Sequence, residues 1–306
     1  MSIEGFMGSG AVPNEQHDLI RLAGLAEQDL PAGALYVVAL PIGNAGDVTL
    51  RAWWVLGHVD AIAAEDTRVT GPLLARFGIA TPMIAAHQHN ERAAAVDIIE
   101  RLASGRRVAL VTDAGTPGVS DPGALIVRAA LEAGHRVIPV PGPSSALAAV
   151  SAGGLGVSTF RFVGFLPAAA RERARALQSI AADSEPAVLF EAPHRIAALL
   201  KDLASSLAPD RRVVVARELT KKFESIRTLR AAELAQTDID ERGEYAVIID
   251  AAASQPVGAL DDSGLRWLDA LLGDLTPARA AAIVSRVTGV PRAAVYEVAV
   301  GLKSRR

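Results

Sequence analysis

The stretch Leu110-Val-Thr-Asp-Ala-Gly-Thr-Pro-Gly-Val-Ser-Asp-Pro-Gly123 constrains the fold more than any other in the chain. Val108 to Thr112 is a short apolar run rich in β-branched residues and reads as a buried strand. It breaks into a loop crowded with Gly115, Pro117, Gly118, Pro122 and Gly123, and helical spacing resumes at Ala124. Glycines let backbone approach a ligand closely, and Asp113, Thr116, Ser120 and Asp121 add polar contacts. In open α/β sheets such loops follow the carboxyl ends of strands, where ligands bind. Alone, the loop is equally well an ordinary strand-to-helix turn. Similar loops after other strands of the same chain favour a binding site.

From Leu35 onward, strand and helix signals alternate. Leu35–Leu40, Ala61–Ala64, Met83–Ala86, Val108–Thr112 and Val137–Val140 are strand-like. Between them 48–59, 69–77, 92–104 and 124–133 show helical spacing. That order predicts a mostly parallel sheet covered by helices, here assigned to a first domain at 34–150. A second series starts near Phe160, with strands at 160–165, 187–190, 212–216, 225–229 and 245–250 and helices at 171–182, 194–206 and 231–235. Its last three strands have little helix between them, so this sheet, in a second domain at 151–253, is partly antiparallel. Ser151-Ala-Gly-Gly-Leu-Gly156 marks the expected seam.

Residues 1–33 lack a clear period beyond a weak helical Leu19–Leu25 and are expected to be a disordered tail. Ala251 to Gly258 reads as a linker. Beyond it, 259–306 carries an amphipathic leucine pattern, a Thr276-Pro277 helix start and a Thr288-Gly-Val-Pro291 turn into a last helix. This unit resembles a helix-turn-helix, although a plain helical appendage fits as well.

Composition removes several classes. The 306 residues are half hydrophobic and 21% charged, and no apolar run reaches the length of a membrane span. The start lacks a signal-peptide pattern, so a cytoplasmic protein is expected. The absence of cysteine excludes disulfides, thiolate metal sites and a Cys nucleophile. A net charge of −3 argues against wrapping naked nucleic acid but leaves room for a local basic cleft. No Gly-x-Gly-x-x-Gly follows a strand and no P-loop is present, which counts against a nicotinamide dehydrogenase and a P-loop NTPase. His87 and His89 have only Glu91 as a close carboxylate, so a surface turn outweighs a metal site, and no metal is expected.

Polar loops instead end strand after strand: Pro41-Ile-Gly-Asn44, Ala64-Glu-Asp-Thr-Arg68, Asp113-Ala-Gly-Thr-Pro117, Pro141-Gly-Pro-Ser-Ser145, Gly164-Phe-Leu-Pro167, Arg217-Glu-Leu-Thr-Lys221 and Gly243-Glu244. In this order they resemble the tetrapyrrole methylase superfamily, in the branch that methylates small-subunit ribosomal RNA, over about 35–250 with a similar C-terminal unit. Glu191-Ala-Pro-His-Arg195 departs mildly, since Ser or Thr often replaces this alanine in the branch. The resemblance implies an α/β, two-domain tetrapyrrole-methylase-like fold: a mostly parallel sheet, then a mixed sheet, plus a small C-terminal helical unit. It implies S-adenosyl-L-methionine as cofactor, bound between the domains by Pro41, Gly43, Asp113, Ala114, Gly115, Val119, Ser144, Ser145, Phe190 and Ala246. It also implies a homodimer acting on 16S rRNA in the 30S subunit, at the 2′-hydroxyl of a decoding-centre cytidine.

A ribose hydroxyl is a poor nucleophile and benefits from a base or an orienting group. Glu65, Asp66, Glu191, Glu218 and Glu244 are candidates that the sequence does not rank. Arg68, Arg195, Arg217 and Lys221 suit phosphates or a base edge. Taken singly, each of these Arg–Glu pairings reads better as a structural salt bridge; as a cluster facing one cleft they favour a substrate site. Two other readings remain open at this point: methylation of a small molecule such as a porphyrinoid, and a non-enzymatic nucleic-acid-binding regulator.

Overall fold

The computed structural model describes residues 15–252 and 260–304. The first domain runs α1 (Glu15–Leu22), β1 (Ala34–Val38), α2 (Leu50–His58), β2 (Ala61–Ala64), α3 (Thr67–Arg76), β3 (Met83–Ala85), α4 (Glu91–Ala103), β4 (Val108–Val111), α5 (Ala124–Glu132) and β5 (Arg136–Val140). Its strands form one sheet in the order β3-β2-β4-β1-β5, every pair parallel. A parallel sheet is covered on both faces, so its inner strands are continuous apolar runs. All four residues of β2 and of β4 are buried. One core lies against α2 through Tyr36, Val55 and Ile62; the other lies against α4 and α5 through Leu35, Ile98, Leu110 and Ile126.

The chain continues with α6 (Ser145–Ala152), β6 (Arg161–Phe165), α7 (Ala170–Ala182), β7 (Ala187–Glu191), α8 (Pro193–Ser206), β8 (Arg212–Arg217), β9 (Ser225–Arg230), α9 (Ala231–Leu234) and β10 (Tyr245–Ile249). The second sheet has the order β6-β7-β10-β8-β9. Only β6 and β7 pair in parallel; β10 runs antiparallel to both neighbours, as does β9 to β8. The mixed sheet expected from the short links is therefore present.

Two expectations are corrected. Residues 19–33 are not a loose tail: Leu25 is 2% exposed in the first core, with Ile20 and Leu30 packed beside it. Arg107 Nε donates to the Leu30 carbonyl at 2.7 Å and the Tyr36 hydroxyl donates to the Pro31 carbonyl. The weak helical spacing at Leu19–Leu25 points to a helix, but not to its anchoring in the first core. The rest of that expectation, residues 1–14, lies outside the described residues, as does most of the 251–258 linker.

The second correction concerns the seam. Helix α6 had no place in the sequence reading, because Ser145-Ala-Leu-Ala-Ala-Val-Ser-Ala152 has no polar face to set a period. Its Ala146 and Ala149 pack with Val188, Val214, Ala216, Ala246 and Ile248 of the second sheet. The chain thus passes between sheets at 141–144, ahead of the glycine-rich stretch.

After the second sheet, α10 (Asp262–Leu271), α11 (Pro277–Thr288) and α12 (Arg292–Lys303) close around Leu268, Leu272, Ala281, Val284 and Val295. Gly289, at φ +74°, ends α11 in a left-handed cap and turns the chain into α12. This core draws on its own three helices and Leu260.

Candidate functional site

Three loops at the carboxyl edge of the parallel sheet are fastened to one another. Past the ends of β1 and β4, Leu40 and Gly115 exchange backbone hydrogen bonds of 2.9 and 3.0 Å in an isolated antiparallel bridge. Thr116 Oγ1 donates to the Pro143 carbonyl at 3.1 Å, which ties in the loop after β5. Gly115 takes φ +71°, a conformation that any side chain would strain. The far end of the long loop is fixed by α4. Glu91 Oε1 accepts from the backbone amides of Gly123 and Leu125 at 2.9 and 3.1 Å, capping α5 where Gly123 has no side chain to do so.

These loops face the carboxyl ends of β6 and β7 and the start of β10 across a cavity of about 340 Å³. From the first domain it is lined by Ile42, Ala114, Gly115, Val119, Ser120 and Asp121. Ser144 and Ser145 line it at the start of α6, and the opposite wall includes Phe165, Phe190, Glu191, Leu219, Glu244 and Ala246. Alternation along the strands decides what points inward. Phe190 and Ala246 are register partners on the α6 side of the sheet, while Glu191 and Tyr245 fall on the side packed by α7 and α8. Phe190 is held edge-to-face between Phe162 and Phe165, with centroids 5.2 and 5.8 Å away.

Of the residues expected to hold a cofactor, Ala114, Gly115, Val119, Ser144, Ser145, Phe190 and Ala246 line this cavity. Pro41, Gly43 and Asp113 do not. The Asp113 carboxylate faces sideways and accepts from the Asp66 amide at 3.0 Å, so it braces the neighbouring loop. Gly43 instead lies under the side chain of Lys221.

The acidic candidates are mostly engaged elsewhere. Asp66 caps α3 through the Arg68 amide and chelates the Arg68 guanidinium at 2.7 and 3.0 Å, which holds its carboxyl down to about 2. Glu65 accepts a long bond from the Asp113 amide, and burial pushes its carboxyl up. The Glu191 carboxylate is fully buried, 3.1 Å from Arg195 Nε and 4.0 Å from Arg173. Glu191 is among the residues that line the cavity, with its carboxylate turned to these arginines. Glu218 accepts from Lys221 Nζ and from the Glu244 amide, both at 2.9 Å. The two bonds outweigh its burial and lower its carboxyl.

The basic candidates are likewise partnered. Arg195 also donates to the Leu166 carbonyl, and Arg217 is bound to Asp240 and the Arg242 carbonyl at 2.8 Å. Both brace second-domain loops, and neither lines the cavity. Lys221 bridges Glu218 and Glu244, each at 2.9 Å. Arg68, 88% exposed, remains open to solvent although paired with Asp66. His87 and His89 pack edge-to-face, and among the described residues no cluster of three or more His, Cys, Asp or Glu is arranged for a metal.

Thr116, Ser120 and Asp121, expected as polar contacts of the long loop, line the cavity, whereas Ile42, Phe165 and Leu219 were singled out for no role and line it as well. Ile42 and Phe165 sit inside quoted motifs, and their inward direction follows only from the bridge at Leu40 and the alternation along β6.

The cavity's chemistry suits an amphipathic nucleoside carrying an amino-acid tail. Its walls are largely apolar, as small-molecule sites are. Gly115 adds no side chain to the floor. The start of α6 offers amide donors, and the Ser144 side chain makes no capping bond to them.

A mostly parallel sheet coupled to a mixed one, with a cavity between them at the strand ends, defines a two-domain methylase architecture. The profile of the tetrapyrrole (corrin/porphyrin) methylases matches residues 34–235, and the chain belongs to this family. A second profile, the RsmI C-terminal HTH domain, matches 258–303. The chain is 46% identical over 269 residues to ribosomal RNA small subunit methyltransferase I of Xylella fastidiosa, covering 86% of this chain and 98% of that one. It is 43% identical to the protein of that name in Vibrio cholerae, covering 88% and 95%. Among solved structures it resembles the methyltransferase CobJ, at 24% identity and TM-score 0.55, over 74% of this chain and 98% of that one. The uroporphyrin-III-C-methyltransferase of Thermus thermophilus is similar at 21% identity and TM-score 0.53, over 71% and 94%. At such identities the likeness is one of fold.

Proposed function

We propose that this protein is an S-adenosylmethionine-dependent methyltransferase of small-subunit ribosomal RNA, and that its acceptor is the ribose 2′-hydroxyl of a decoding-centre cytidine in 16S rRNA. Membership of a methylase family and the names of its relatives support the coarser part of this reading. A fold neighbour was solved with S-adenosyl homocysteine, at TM-score 0.51 and 20% identity over 71% of this chain and 96% of that one. The single observation that carries the site is the cavity between the sheets, floored by Gly115 and walled by Ile42, Val119, Phe190, Leu219 and Ala246.

When bound, the cofactor supplies an electrophilic methyl group on a cationic sulfur. Methyl transfer needs the acceptor oxygen held in line at about 3 Å and water kept out, with no metal. The apolar wall of Ile42, Leu219 and Ala246 would keep water from the bound cofactor. Ser144, Ser145 and the first amides of α6 would be the donors that hold its polar groups. Phe165, 55% exposed at the mouth, presents a ring face on which an unstacked base can lie. Arg68 stands on the same rim of strand ends and is available to a phosphate.

An acidic protein gains little from bare phosphate attraction, so the folded subunit rather than free RNA is the expected substrate. Incubation with isotopically labelled S-adenosylmethionine and 30S particles, followed by nucleoside mass spectrometry, tests the reading. One 2′-O-methylcytidine per 16S chain is expected. Methyl found only on a base defeats the ribose assignment, and labelling of a porphyrinoid but not of 30S defeats the RNA assignment.

A further inference from the structure

Asp121 sits where the long loop of the first domain meets the edge of the second sheet. Ser120 before it takes φ +62°, a left-handed conformation costly for a residue with a side chain. Strain of this kind persists where surrounding structure imposes it. Here the strained turn meets the second sheet across the seam. Strand β6 shifts register between Phe162 and Gly164, and a Cβ on Gly164 would lie 2.8 Å from Ser120 Oγ. Without a side chain at 164, the turn fits against the second sheet and carries Asp121 to the cavity wall.

The other carboxylates near the cavity are committed. Glu191 faces two arginines, Glu244 is held by Lys221, Glu218 accepts two bonds, Asp66 is chelated by Arg68, Asp113 holds the Asp66 amide, and Glu65, which does not line the cavity, accepts a 3.4 Å bond from the Asp113 amide. Among the described residues, no hydrogen bond or ion pair engages the Asp121 carboxylate. Asp121 is exposed at the cavity wall, yet desolvation by the surrounding protein, followed by the charges of Glu65, Asp113 and Glu244, pushes its carboxyl up to about 6. An unpaired acid near the working pH is the profile of a general base.

We propose that Asp121 is the base that accepts the proton of the acceptor hydroxyl; this rests on the ribose-methylation reading above. In the step, the 2′-oxygen forms its bond to the methyl carbon as the carbon–sulfur bond breaks. The electron pair goes to sulfur, which becomes a neutral thioether, and the hydroxyl proton ends on the Asp121 carboxylate. Because the carboxylate must be ionised to act, the rate rises with pH through about 6.

The test compares the intact protein with Asp121→Asn and Asp121→Glu on 30S particles. For Asp121→Asn, kcat is expected to fall on the order of 10²-fold and the acidic limb of its pH profile to vanish. Affinities for S-adenosylmethionine and for neutral S-adenosylhomocysteine should both hold by calorimetry. The melting temperature at pH 7.5 should hold or rise, because removing an acid that the fold resists ionising relieves the native state. Asp121→Glu should keep the acidic limb at a reduced rate.

A near-normal kcat with an unchanged limb in Asp121→Asn overturns the proposal. So does selective weakening of S-adenosylmethionine relative to S-adenosylhomocysteine, which makes Asp121 a counter-ion of the sulfonium. A lowered melting temperature with loss of both affinities also overturns it. The wild-type product is read separately: methyl on a base removes the ribose reading alone, and the Asp121→Asn rate still decides where the acceptor's proton goes.

Discussion

Lys221 lies across Gly43 so closely that a Cβ on the glycine would sit 2.4 Å from its Cγ and 2.7 Å from its Cε. The two belong to different domains. Beside them the Asn44 amide donates to Thr220 Oγ1 at 3.1 Å, and Lys221 Nζ reaches Glu218 and Glu244. The loop after β1 and the loop after β8 are thereby clasped at one side of the cavity. Glu218 and Thr220 take φ +50° and +68°, so the clasp loop has little freedom to retreat.

Gly43→Ala is therefore expected to displace the whole Lys221 stem and destabilise the protein by about 1–3 kcal/mol, as overpacking does. Lys221→Ala removes the obstacle. In that background the added cost of Gly43→Ala should shrink, and chemical denaturation of the four proteins forms the cycle that measures it. Additive effects would show that the two residues do not meet in solution.

Acid should open the same clasp. The bonds from Lys221 and the Glu244 amide hold the Glu218 carboxyl below its ordinary 4.5, while bonds to Glu244 and Glu218 outweigh burial and raise Lys221 above 10.5. A depressed acid stabilises above its unfolded value and loses that contribution as pH falls through the folded one; a raised base loses it as pH climbs past 10.5. The clasp is thus at full strength from about pH 4.5 to 10.5. Glu244 is 76% exposed, so its arm is screened and worth at most about 1 kcal/mol. Melting temperatures of wild type and Glu218→Gln should differ at pH 7 and draw together as pH falls below 4.5; a constant gap would refute the linkage.

Gly115 tests the cofactor floor. A Cβ alone would have ordinary contacts there, 3.5 Å from Ile42 Cγ2, so the difficulty is the positive φ and whatever extends further into the cavity. Gly115→Leu should cost roughly 1–2 kcal/mol in stability from backbone strain and abolish S-adenosylmethionine binding. Gly134, at φ +79° with open space around it, carries the same strain away from the cavity. Gly134→Ala should lower stability similarly and leave affinity untouched. Unchanged affinity in a folded Gly115→Leu protein would remove the cofactor from this cavity.

The fold was legible where burial imposes a pattern. Strands β2 and β4, buried on both faces, read as uninterrupted apolar runs, and the antiparallel part of the second sheet followed from the short links between β8, β9 and β10. Helix α6 escaped because a segment rich in alanine with no polar face has no period to read. The anchoring of Leu25 escaped because weak helical spacing at Leu19–Leu25 does not tell what the segment packs against. In the site, motif order located the loops but not side-chain direction. Glu191 and Phe190 are adjacent in sequence and point to opposite faces of β7, and only the register with β10 tells which faces the cavity. Arg195 and Arg217 have the chemistry of phosphate binders, yet carbonyls and carboxylates that arrive from distant positions occupy them. Asp121 is distinguished by the partners it lacks, a property no sequence displays.

The C-terminal unit separates docking from chemistry. Its core is closed on Leu260, α10, α11 and α12, and none of its described residues lines the cavity. Trp267, Ile283, Val287, Tyr296 and Val300 remain exposed on its surface. Removing 259–306 is expected to leave S-adenosylmethionine affinity intact and to weaken binding of the 30S particle at least tenfold, a loss of about 1.4 kcal/mol. If the helices instead cap the second domain or join two copies of the chain, truncation would lower the melting temperature or dissociate a dimer, and cofactor affinity would fall with RNA affinity. Calorimetry, sedimentation and 30S binding on one truncated protein distinguish these cases. A truncated protein of unchanged oligomeric state, with wild-type affinity for both ligands, would remove RNA docking as the role of the unit.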